Sequence, residues 1–120
     1  MALPLNLQNY TALIAAGASL SAAVSIGAGL LVGILVPSGW TAASLTFQTS
    51  VDGVNWFDVY DDLSNELTVT VASTGGCYIL FDPDEWLGVN MLRVRSGTTA
   101  APVNQVGAAA ITLVTRSQEW

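Results

Sequence analysis

Ser44-Leu45-Thr46-Phe47-Gln48-Thr49-Ser50-Val51, then Asp52-Gly53, then Val54-Asn55-Trp56-Phe57-Asp58-Val59-Tyr60 is the stretch that decides the architecture. Asp-Gly between two runs rich in β-branched and aromatic residues marks a hairpin, because glycine accepts the positive φ that such a turn needs. Two registers follow. A two-residue turn puts Trp56 on the face of Leu45 and Phe47, whereas a three-residue turn with a bulge puts Phe57 and Val59 there. The bulged turn is favoured, since the simple one would set Asp58 opposite Phe47 on the buried face.

Downstream, a polar connection at residues 61–65 leads to Glu66-Leu67-Thr68-Val69-Thr70-Val71, whose alternation reads as a half-buried strand. Cys77-Tyr78-Ile79-Leu80-Phe81 is a further strand, and Asp82-Pro83 suits the start of one helical turn. Met91-Leu92-Arg93-Val94-Arg95 buries Leu92 and Val94 and turns both arginines to the other face. After a long connection with Gly97, Pro102 and Gly107, a last strand is predicted over residues 109–116. Upstream, Leu30-Leu31-Val32-Gly33-Ile34-Leu35-Val36 is continuously apolar, as in a strand covered on both faces. Before it, Leu20, Ala22, Val24 and Ile26 alternate with small residues, which is a period of two and not of 3.6.

Eight or nine short strands separated by Gly, Pro, Asn and Asp, with no sustained helical period, predict an all-β fold. The expected architecture is a single jelly-roll-like antiparallel β-sandwich with an extended, uncharged N-terminal segment. Residues 19–120 form the sandwich in this reading, and residues 1–18 an N-terminal arm or first strand. Residues 1–51 carry no charged side chain, and residues 11–37 are long enough to cross a bilayer. Serines and glycines dilute that run, no cation flanks it, and its period is that of a strand, so no membrane segment is expected. Residues 1–10 also lack the cationic start of a signal peptide.

The 120 residues include nine acids and three arginines, with no lysine and no histidine. Imidazole bases, Schiff-base lysines and nucleophiles activated by histidine are therefore absent. A net charge of −6 gives no electrostatic footing on nucleic acid or anionic lipid. The expectation is a protein with no catalytic residue, no cofactor and no metal. Acidic residues do gather at Asp52, Asp58, Asp61, Asp62 and Glu66, and again at Asp82, Asp84 and Glu85. Neither spacing matches a calcium-binding loop, and turn formation with solubility explains both groups.

Lone Cys77 sits in an apolar run and reads as a small buried hydrophobe. Of four tryptophans, Trp40 and Trp56 are expected in the core, while Trp86 and Trp120 are candidates for contact with a protein partner or a glycan. Arg93 and Arg95 share a face and call for an acidic partner, Glu66 or Glu85, in this chain or a neighbour. Only 10% of residues are charged, against roughly a quarter in an ordinary domain, so much of the surface is expected to face other subunits.

Trp40 to Trp56, with Val59-Tyr60-Asp61, resembles the strand-loop-strand signature of discoidin-like jelly rolls, and Met91 to Gly97 resembles their arginine-bearing strand. More closely, the chain resembles a group of small proteins of tailed bacteriophages and gene transfer agents. Four stretches carry that likeness: Trp40 to Gln48, Leu92 to Gly97, Pro102 to Gln105, and Thr112 to Arg116. The resemblance implies a virion structural protein, a head decoration, cement or spike-base protein assembled in the bacterial cytoplasm. It implies contacts with capsid or other virion proteins, and the low charge with the small residues of the N-terminal third adds the expectation of a homo-oligomer, a trimer or a pentamer. A carbohydrate-binding module, an adhesin for a host surface glycan, or a tail-associated protein is the alternative. The uncharged N-terminal segment is longer than a bare sandwich needs, and Leu3, Leu5, Leu7 and Tyr10 are the expected capsid anchor.

Overall fold

Strands whose side chains alternate in polarity bury one face each, and two sheets packed face to face bury both at once. A computed structural model describes residues 7–117. The strands are β1 (Leu7–Ile14), β2 (Val24–Ser25), β3 (Gly29–Val36), β4 (Leu45–Ser50), β5 (Phe57–Asp58), β6 (Cys77–Leu80), β7 (Met91–Ser96) and β8 (Ala109–Ser117). One sheet runs β1-β8-β3-β6, the other β2-β7-β4-β5, and every named pairing is antiparallel. The pairs β1 with β8, β2 with β7, β3 with β6 and β4 with β5 are those of a long ribbon rolled on itself, which is the jelly-roll order. The all-β sandwich expected from the alternation is therefore present, with eight strands.

Between the sheets lie Ala12 and Ile14 of β1, Leu31, Ile34 and Val36 of β3, and Ile111 and Leu113 of β8. They pack against Leu45 and Phe47 of β4 and Leu92 and Val94 of β7. Leu31 and Ile34 are three apart, so a regular strand would send them to opposite faces. A bulge against β8 between Leu31 and Gly33 returns both to the core. The expectation that β3 is covered on both faces is corrected here, because its outward Leu35 is 42% exposed.

Strand β2 is shorter than the alternation over residues 20–26 suggests. The hydroxyl of buried Ser21 accepts the Val94 N–H at 2.9 Å, taking the place of a ladder carbonyl, while Ser21 N–H donates to the Val94 carbonyl at 2.8 Å. The segment thus follows β7 without a continuous ladder. Residues 66–71 behave similarly, joined by isolated bridges from Leu45 to Val69 and from Tyr60 to Glu66.

Residues 7–14 are an integral strand rather than an arm, paired with β8 along their whole length. Tyr10 packs partly against the core and its hydroxyl donates to Gln8. Of the expected anchor residues, Leu7 begins this strand with its side chain exposed, and Tyr10 sits within it half-buried. Leu3, Leu5 and Trp120 lie outside the described residues. Among the described residues, no helix is long and apolar enough to cross a membrane.

Candidate functional site

The β4–β5 connection carries the chemistry of the second sheet. Gln48 pairs with Asp58 and Thr49 with Phe57, so Val59 joins Phe47 on the inner face and Asp58 points outward. Val59 thus takes the face that the bulged register assigns it, whereas Phe57, assigned to the same face, is 63% exposed. The loop itself, residues 51–56, is longer than either turn considered. Asp52 organises it: one carboxylate oxygen accepts the N–H groups of Val54 and Asn55, each at 2.8 Å, and the other accepts the Asn55 side-chain amide. These donors hold the Asp52 carboxyl far below the usual range. Gly53 sits at φ 79°.

Outward from β7, Arg93 lies over the Trp56 ring with its guanidinium carbon 4.3 Å from the centroid. Trp56 therefore belongs to the outer face and not to the core, a correction that the parity of Asp58 explains. Arg95 is 7% exposed. It donates to Asp58 at 2.7 Å, to Thr99 at 2.8 Å, and at longer range to Thr46 and Glu66, while Glu66 also accepts from Thr99. The Arg95 guanidinium holds the Asp58 carboxyl below its ordinary range, chiefly by hydrogen bonding. The expected partner Glu66 is present, Asp58 is added, and Glu85 lies elsewhere. Through these bonds Arg95 ties β4, β5, the segment at Glu66 and the connection at Thr99 to β7, while Oε1 of Gln48, whose amide donates to Asp58, is buried without a partner.

The long connection before β8 is anchored by Gln105, a buried residue of the Pro102 to Gln105 stretch. Its side chain accepts the Thr41 N–H at 2.8 Å and donates to the Thr41 carbonyl and the Ser96 hydroxyl. A polar residue amid loop composition gave no sign of this role.

Trp86 ends a 3-10 turn, Pro83–Trp86, capped by Asp82. The turn folds its indole inward, where it is 2% exposed, stacked on Phe81 at 4.9 Å and edge-on to Phe47 at 4.9 Å. The expectation that Trp86 contacts a partner or glycan is corrected: the ring is core. Near this turn, Val59, Tyr60, Asp61, Asp62, Leu67, Asp84 and Glu85 line an open groove of about 390 Å³. Backbone donors, that of Asn65 foremost, lower the Asp61 carboxyl, and so favour its ionised form. Among the described residues, no three metal-ligating side chains converge.

A larger feature is the outer face of the β1-β8-β3-β6 sheet. Rows cross it as Thr11, Thr112, Leu35 and Tyr78, and as Asn9, Val114, Gly33 and Leu80. Tyr78 lies over Gly33, where any Cβ would meet its ring. Leu80 is 81% exposed, and Leu7, Leu13 and Leu35 are open as well. Arg116 is the one charged side chain in these four strands. All eight described carboxylates fall within residues 52–85, five of them between β4 and β6 and three in the connection from β6 to β7. No protein-family model matches the chain, and no curated protein matches it significantly.

Proposed function

We infer that this protein is a non-enzymatic structural component of a phage or gene-transfer-agent particle, attached to the capsid or other virion proteins through its apolar sheet face. The observation that carries this reading is the face itself. Exposed Leu7, Leu13, Leu35, Tyr78 and Leu80 share one sheet surface with a single cation and no carboxylate. Large apolar side chains gathered on one sheet surface free of carboxylates, with only Asn9, Thr11, Thr112 and the cation Arg116 among them, are a common mark of a protein interaction site. The chain's resemblance to head decoration and spike-base proteins supplies the kind of particle, and the absence of histidine and lysine fits a role without general-base chemistry.

Immunogold labelling tests the reading, using an antibody against the purified chain and particles released by the bacterium that encodes it. Label on intact heads, lost from particles carrying a Leu35→Lys, Leu80→Lys double variant, is the expected result. Particles free of the protein at every stage of assembly would overturn it.

A further inference from the structure

We propose that β1 is a homodimerisation edge, at which two copies of the chain join their β1-β8-β3-β6 sheets into one continuous eight-stranded sheet. The argument starts from how the four sheet edges are handled. A sheet edge offers a row of unpaired N–H and C=O groups, and proteins blunt it by shortness, charge, proline or bulges. Here β2 and β5 are two residues each and β6 is four. These three edges are blunted by shortness. Strand β1 has eight residues, Leu-Gln-Asn-Tyr-Thr-Ala-Leu-Ile, with no charge, no proline and an unbroken register against β8. Among the described residues nothing pairs with its other side.

The edge is complementary to a second copy of itself, because a two-fold axis sets its free N–H and C=O groups against the same groups reversed, and charge leaves that approach open. Two chains of net charge −6 repel, and the repulsion is least where the carboxylates are farthest from the contact. The described carboxylates lie within residues 52–85, whereas β1 and its neighbour β8 contain one charged side chain, the cation Arg116. Approach along β1 is therefore the least opposed.

Geometry then fixes the symmetry. A two-fold axis perpendicular to the sheet reverses strand direction, giving an antiparallel pair, and keeps each face on its own side. Odd-numbered residues of one β1 thus lie opposite odd-numbered residues of the other, bringing Leu7, Asn9, Thr11 and Leu13 of both copies onto one outer surface. The junction uses the one long edge of each chain, so assembly stops at two rather than growing as a fibre. That departs from the trimer or pentamer expected from sequence, which would need a head-to-tail contact. Eight residues span about 27 Å of edge, a small interface of the weak, concentration-dependent class. The inference stands on the edge alone, whether or not the protein belongs to a virion.

Light scattering coupled to size exclusion, on the full chain from a few to several hundred micromolar, reads the outcome directly. Mass should rise from 12.5 kDa towards twice that value. Thr11→Lys and Asn9→Lys should each hold it at the monomer value, because each puts a lysine on the edge itself and brings two like charges onto the same outer surface beside the axis. Thr112→Lys puts the same charge on the same face one strand inward, and should leave the dimer intact. Hydrogen exchange on the unaltered chain is a second reading that needs no variant. The β1 amides that face away from β8 should gain at least tenfold protection as concentration rises. A monomer at all concentrations, a dimer insensitive to both β1 lysines, one equally abolished by Thr112→Lys, or unprotected β1 amides in the dimer would each overturn the proposal.

Discussion

The guanidinium of Arg95 donates to the carboxylate of Asp58 across 2.7 Å, joining the C-terminal end of β7 to the short edge strand β5 across the outer face of β4. Strand β5 has only two ladder residues, so side chains supply much of what fixes it. Thr46, Glu66 and Thr99 complete the cluster and attach the loops on either side. A cation with so little exposure is stable only because each of its neighbours is an acceptor.

Removing that cation leaves Asp58 and Glu66 facing each other without compensation. Arg95→Met should destabilise the fold by about 2 kcal/mol, less than the 3–5 kcal/mol of a fully buried pair because Asp58 remains partly solvated. At roughly 4 °C per kcal/mol for a domain of this size, the melting temperature should drop by about 8 °C. The double variant with Asp58→Asn should cost less than the two single changes combined, and a thermal double-mutant cycle reads that coupling.

Acid should unfold the protein in a window set by the same carboxylate. Asp58, Asp52 and Asp61 all have folded pKa values below their unfolded ones, so the native state binds fewer protons. Their stabilisation is complete above the unfolded value of about 4 and is lost as pH falls through the folded values. With no histidine, stability should be flat from pH 5 to 8. Urea midpoints measured from pH 8 to pH 2 should show this plateau and fall, and Asp58→Asn should lower the plateau while making the fall shallower.

Much of the fold was legible because β4 and β7 alternate cleanly, because β6 and β8 are short apolar runs bounded by Gly, Pro and Asp, and because Asp58 could face only away from Phe47. Strand β1 was harder to read: Tyr10, Ala12 and Ile14 face inward, but outward Leu7 and Leu13 hide the alternation. Those two residues belong to the apolar outer face, so what obscured the strand is the feature that carries the functional reading. Trp86 misled for another reason. Its neighbours Asp82, Asp84 and Glu85 are a surface composition, and only the 3-10 geometry shows that the residue after them turns inward. The Gln105 anchor needed partners 64 positions away, which no local pattern carries.

Gly53 should tolerate asparagine far better than valine. At φ 79° a β-branched side chain is strained, although space is not the obstacle, since an added Cβ would come no nearer than 3.7 Å to Met91. Gly53→Val should cost about 2 kcal/mol and Gly53→Asn well under 1 kcal/mol. Thermal melts of the two variants side by side provide the check, and equal melting temperatures would contradict the left-handed turn.

Trp86 should behave as a core residue in every assay. Its indole fills the space between Phe81 and Phe47, so truncation removes a stacked and an edge-on contact together with the buried area. Trp86→Ala should cost about 3–5 kcal/mol, lowering the melting temperature by more than 10 °C, while Trp86→Phe should lose less because a ring still meets Phe47. An exposed tryptophan would give a different pattern, with little change in stability for either variant. Differential scanning calorimetry of the pair, with near-ultraviolet circular dichroism to follow the aromatic cluster, separates these outcomes. A Trp86→Ala protein melting within 2 °C of the unaltered chain, where a surface change worth no more than about 0.5 kcal/mol would place it, would mean that the indole does not pack between the two phenylalanines.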